Sequence, residues 1–207
     1  MMKILAIDLA WTGPSGWVLW DGARLHSKGW PDPIIKYGEF KVTPKRGLAG
    51  AGRRTDIGRQ IQTAVRAVLR ENPADLLVYE ETDWHQGLSG QRDWKQKYAQ
   101  ERQVQRSLAA AEMALLLATA EMSVPAASLG ASEAAKEYGV VSRKIEKKEM
   151  TAMLLANSLG YRLAFEKHKT GYVLDRLDGS KLSHHITDAM MLAEVMYNRI
   201  RVEEMTR

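Results

Sequence analysis

The chain has 207 residues and a mass of 23.3 kDa, the length of one ordinary domain, and its 45% hydrophobic and 27% charged residues exclude a disordered or collagen-like protein. Thirty Lys and Arg against 25 Asp and Glu give a net charge of +5 and a pI near 9.4, a balance that suits a polyanionic partner without requiring one. Cysteine is absent, which excludes disulfides, a thiol nucleophile and every Cys-containing zinc or iron-sulfur site, so any metal must rest on carboxylates and five histidines.

Asp8 interrupts the opening apolar run where a signal peptide needs unbroken apolar residues, and no later stretch approaches the roughly 18 apolar residues of a membrane span. A soluble intracellular protein with no membrane partner is expected. The segment KILAIDLA (3 to 10) reads as a buried strand, TGPSG (12 to 16) as a turn and GWVLWDG (16 to 22) as a second strand. The alternation in IIKYGEFKV (34 to 42) predicts a third, completing a three-stranded antiparallel meander. From Arg53 to Glu71, Ile57, Ile61, Val65, Val68 and Leu69 recur at helical spacing until Asn72 and Pro73 end the pattern. DLLVYEE (75 to 81) is an apolar strand ending in two acids, as in a central parallel strand that opens into a site. A long helix follows over Lys95 to Glu121, a fifth strand over VPAASL (124 to 129), and helices over Ser132 to Tyr138 and Ile145 to Leu159. Residues 166 to 181 read as loosely structured, and a last helix runs from the N-cap Ser183 to Arg199. This order predicts a single α/β domain over 1–207 with one central sheet. It is not a dinucleotide fold, since GPSG after the first strand is not GxGxxG.

Three separated segments bring acid or imidazole to an apolar boundary. Asp8 ends the first strand and Glu80 the fourth, and an ionised carboxylate in such a place is costly unless something positive meets it. His185 and Asp188, spaced i, i+3, share one face of the last helix beside the apolar stripe of Ile186, Met190 and Ala193. Each taken singly has an ordinary reading as a cap, a solvated strand end or a surface pair. In the order first strand, fourth strand, last helix, they make a specific pattern.

With ILAIDLAWTGPSGW, LLVYEETDW, VPAASLGASEAAKEYGV, IEKKEM and HHITDAMMLAE in view, the chain resembles the RuvC family of Holliday-junction resolvases within the ribonuclease H-like superfamily. The resemblance extends from Lys3 to about Tyr197. It implies a ribonuclease H-like fold: a five-stranded mixed sheet, three antiparallel strands and then two parallel ones, flanked by helices. It matches Asp8, Glu80, His185 and Asp188 to the family's catalytic, metal-binding residues. The register between His184 and His185 rests on spacing from Asp188 alone. Lys147 and, more weakly, Lys136 fall where similar proteins carry bases near the DNA backbone, and Trp84 near an aromatic that follows the catalytic Glu. The departures are Asp-Leu-Ala in place of the usual Asp-Pro-Gly after the first strand and a turn about one residue longer.

The activity implied is a structure-selective endodeoxyribonuclease of recombination and repair, acting on four-way or other branched DNA as a homodimer in a bacterial or phage-infected cytoplasm or at the nucleoid. Oxygen-rich ligands with one imidazole suit Mg²⁺ or Mn²⁺ better than zinc, and two such ions would balance three carboxylates and a phosphodiester. Glu81 is expected to point away, since adjacent strand residues alternate faces. Residues 45 to 70 hold seven bases against one acid, a net +6, and Arg53, Arg54 and Arg59 are the candidate phosphate contacts; a solvated helix face is the alternative. Lys95, with Trp84, Trp94 and Tyr98 nearby, suits stacking on exposed bases. The Ala- and Leu-rich helix from Leu108 to Ala120 suits a dimer interface or burial against its own sheet. Rival readings are another ribonuclease H-like nuclease, cutting hybrids or flaps, and a nucleic-acid-binding module without catalysis. An actin-like kinase would need a second domain for which the length leaves no room.

Overall fold

The computed structural model describes residues 2–11, 13–26, 32–81, 94–140, 147–160, 162–168, 171–175 and 181–207. Strands β1 (Lys3–Asp8), β2 (Gly13–Asp21), β3 (Ile34–Val42), β4 (Leu76–Glu81) and β5 (Ala126–Gly130) form a mixed sheet in the order β3-β2-β1-β4-β5. The first three strands pair antiparallel, and β1-β4 and β4-β5 pair parallel. Helices α1 (Gly50–Glu71) and α2 (Trp94–Glu121) cover one face. Helices α3 (Ala131–Glu137), α4 (Lys147–Leu159) and α5 (His184–Thr206) cover the other.

The pleat divides the apolar residues between the two layers. Ile4 and Ala6 of β1, Val18 and Trp20 of β2 and Val78 of β4 face α5, while Leu5, Ile7, Leu19, Leu77 and Tyr79 face α1 and α2. Burial on both sides explains why β1 reads as an unbroken apolar run. On α2, Ala111, Ala114, Leu115 and Ala118 are buried against the sheet, whereas Met113 and Leu117 on the outer face are exposed. No helix among the described residues is long and apolar enough to cross a membrane.

Three sequence expectations need correction. TGPSG is not a turn, because β2 begins at Gly13. Ser15 is fully buried and its hydroxyl accepts a hydrogen bond from the Ala10 amide at 3.0 Å, which closes the connection before the strand. Pro14 is tolerated because β1 has already ended at the level of Gly16, leaving Pro14 paired with Lys41 of β3 alone. The stretch read as loosely structured contains strands instead. Strands β6 (Arg162–His168), β7 (Gly171–Asp175) and β8 (Lys181–Leu182) form a second, antiparallel sheet in the order β6-β7-β8. Helix α5 also continues past Arg199 to Thr206.

Candidate active site

The parallel register that pairs Ile7 with Tyr79 brings the next residues, Asp8 and Glu80, side by side at the carboxyl ends of β1 and β4. Glu80 pairs in turn with Leu129, which lies in the core beneath α5, so both carboxylates are on the α5 face. Glu81 is on the opposite face, where the Ser128 hydroxyl donates to its carboxylate at 3.4 Å.

Helix α5 supplies the third side of the site. Ser183 caps it, its hydroxyl accepting the Ile186 amide at 3.4 Å, and the first turn lies over the end of β1. His185 Nδ1 is 2.9 Å from Asp8 Oδ2, and both side chains are about four-fifths buried, with exposures of 20% and 17%. The His184 ring stacks on His185 at 3.9 Å between centroids, tilted by 40°. Asp188 lies one turn further along α5, half-buried. The close approach is possible because the residue paired with Asp8 on β2 is Gly16, where a Cβ would come within 2.3 Å of the His185 carbonyl group. A glycine inside a strand is a signal of close backbone approach, which the sequence reading missed by placing Gly16 at the end of a turn.

The donor types suit a divalent cation: three carboxylates and one imidazole, carried by the ends of two neighbouring strands and the first turns of α5. Among the described residues no three of these groups are gathered into a metal-holding cluster, and Asp8 and His185 bond each other. The residues fit the ion by their chemistry and by lying at one end of the sheet, without forming a preassembled cluster.

The basic residues lie elsewhere. Strand β3 runs parallel to β1, so α1 begins at the same end of the sheet as the carboxylates but on the opposite face. Arg53, Arg54 and Arg59 fall in its first half, and no described acid is within salt-bridge distance of them. Arg54 and Arg59 line a groove of about 310 Å³ between α1 and α2, together with Met113 and Leu117. A 22-residue helix is about 33 Å long, so the bases that α1 takes from this stretch, Arg53, Arg54, Arg59, Arg66 and Arg70, are spread along it. Its later member Arg66 is committed to Glu121 of α2 at 2.8 Å. Lys136 is exposed on α3. Lys95 and Lys147 lie in the first turns of α2 and α4, with their side chains outside the described residues, and Trp84 is outside them altogether.

Two hydroxyl–carboxylate pairs flank the sheet. The Tyr79 hydroxyl donates to Glu112 at 2.8 Å, and burial together with that carboxylate pushes its pKa up to about 12. The Tyr138 hydroxyl donates to Glu194 at 2.8 Å; burial raises both pKa values, and the neighbouring carboxylate raises that of Tyr138 further.

No protein-family model and no curated protein matches the sequence. Solved structures do. Thermus thermophilus RuvC in complex with a Holliday junction substrate aligns at 17% identity and a TM-score of 0.56, over 97% of this chain and 96% of that one. A second Thermus thermophilus RuvC structure gives the same identity and TM-score over 96% of each chain. The yeast mitochondrial Holliday junction resolvase Ydc2 aligns at 12% identity and 0.51, over 92% of this chain and 75% of that one. With a mixed five-stranded sheet flanked by helices and alignment over nearly its whole length, the chain has the ribonuclease H-like fold seen in these RuvC structures.

Proposed function

We propose that this chain is a metal-dependent, structure-selective endodeoxyribonuclease that resolves four-way DNA junctions. The observation that carries the reading is the meeting of Asp8, Glu80 and the first turn of α5 at one end of a RuvC-like sheet, with His185 bonded to Asp8. Three carboxylates alone would repel a phosphodiester, whereas two divalent ions would leave the site at about +1 and attract it. Asp8, Glu80, His185 and Asp188 would hold Mg²⁺ or Mn²⁺, which when bound supplies an acidified water and positive charge at the departing oxygen.

The chain's own contribution is position. Neighbouring parallel strands fix Asp8 beside Glu80, and the capped first turn of α5 fixes His185 against Asp8. Arg53, Arg54 and Arg59 reach phosphates flanking the cut, aided by Lys95, Lys136 and Lys147, and Trp84 stacks on an exposed base at the branch. A four-way junction has approximate two-fold symmetry, so two copies with one site each suit paired cuts. The exposed Met113 and Leu117, one turn apart on α2, suit contact between those copies.

The test offers the protein a four-way junction, a flap, a duplex and an RNA:DNA hybrid of matched sequence with Mg²⁺ or Mn²⁺. Symmetric nicking of the junction in preference to the others is the expected result. Preference for the hybrid or flap would replace the substrate assignment, and no cleavage of any would leave a binding module.

A further inference from the structure

A row of residues crosses the sheet at the level of the site: Glu39 of β3 pairs with Gly16 of β2, which pairs with Asp8 of β1. In-register residues share a face, so Glu39 is on the α5 side too. Its carboxylate accepts the hydroxyl of Ser183, the residue whose oxygen also receives the Ile186 amide and caps α5. The first turn of α5 is thus tied to β3, and its backbone sits on the bare Cα of Gly16, between Glu39 and Asp8. We propose that Gly16, Glu39 and Ser183 are positioning residues that set how closely this turn approaches the end of β1, and thereby hold His185 on Asp8. Their importance for cleavage rests on the nuclease reading; their effect on the contact does not.

The geometry makes the role specific. A Cβ at Gly16 would lie 2.3 Å from the His185 carbonyl carbon and oxygen and 2.6 Å from the Ile186 nitrogen. These are backbone atoms that cannot rotate away, so the turn must retreat by about 1 Å to reach ordinary contact. Gly22 provides the contrast. A Cβ there would meet the Tyr197 ring at 2.1 Å, further along the same helix and on a side chain that can rotate.

The experiment records long-range proton–nitrogen spectra of the His185 ring in the metal-free, full-length protein, alongside thermal melting and junction cleavage in Mg²⁺. Gly16→Ala is expected to lose the hydrogen-bonded Nδ1 signature, whereas Gly22→Ala lowers the melting temperature and keeps it. Glu39→Ala and Ser183→Ala remove a hydrogen bond without adding a clash and are expected to weaken the same signature, with Ser183→Thr restoring it. In cleavage, Gly16→Ala is expected to lower kcat by about 100-fold with KM unchanged. Retention of the signature in Gly16→Ala, or its equal loss in Gly22→Ala, would overturn the proposal. If the unsubstituted protein cut no junction, the nuclease reading would fall and the spectra would still decide the positioning role.

Discussion

At one end of the central sheet the two faces present opposite charge. On the α5 face the strand ends carry Asp8 and Glu80, with His185 and Asp188 on the helix above them. On the other face the same end carries Arg53, Arg54 and Arg59 at the start of α1. The acids are held by rigid elements, half-buried, and one of them is fixed at 2.9 Å from an imidazole nitrogen. The arginines stand on one helix beside exposed Met113 and Leu117. A net charge of +5 thus conceals a spatial division: the acidic strand ends lie around the edge of the sheet from a helix surface rich in arginine.

The sharpest way to break this comparison is to substitute adjacent residues that point to opposite faces. Glu80→Gln, which removes a proposed ligand, is expected to lower junction cleavage by more than about 100-fold, beyond what losing a mere partner of a ligand costs, whereas Glu81→Gln leaves the rate unchanged. Comparable losses in a cleavage time course would erase the distinction between the faces.

The arginine face predicts a smaller effect of a different kind. Replacing Arg53, Arg54 and Arg59 together with Ala should weaken junction binding about tenfold and reduce the slope of log affinity against log salt by about 2 to 3, measured by titration at several salt concentrations. An unchanged slope would make these residues ordinary solvated surface and leave the groove between α1 and α2 to subunit contact alone.

The buried pairs sharpen the comparison least. Burial raises the Glu194 pKa, so the folded state favours its protonated form. Its contribution to stability is fully present below the ordinary carboxylate range near 4.5 and is lost as pH rises through the raised value. Glu194→Gln keeps an acceptor for the Tyr138 hydroxyl without the charge, and should therefore melt about 2 °C higher than the parent at pH 8, with the gap narrowing at pH 5. A gap that is constant or widens toward acid would contradict the burial argument.

Much of this architecture was legible from local pattern. The apolar run of β1, the alternation over Ile34–Val42 and the helical spacing from Ile57 to Leu69 are direct traces of burial, whereas the arrangement of three antiparallel and two parallel strands was implied by the family resemblance. The candidate site was legible because carboxylates at the ends of apolar strands conflict with their surroundings. Two features were hidden for physical reasons. β6 runs from the apolar Leu163, Ala164 and Phe165 straight into Glu166, Lys167 and His168, and β7 is only five residues opening on Gly171, so neither shows a sustained period-2 pattern. Glu39 gave no signal because one acid in an alternating strand is ordinary; only the register beside Gly16 and the cap of α5 gives it a place. Counting charge over residues 45 to 70 did not show that α1 spreads its bases along about 33 Å or that Arg66 pairs with Glu121.

The most direct measurement compares Asp8→Asn with the unsubstituted protein on one four-way junction, recording binding without divalent ions and cleavage with Mg²⁺. The account predicts unchanged binding and a cleavage rate lower by more than about 100-fold, because grip and chemistry lie on different faces. Cleavage that survives the substitution, or binding that is lost along with it, would contradict the account.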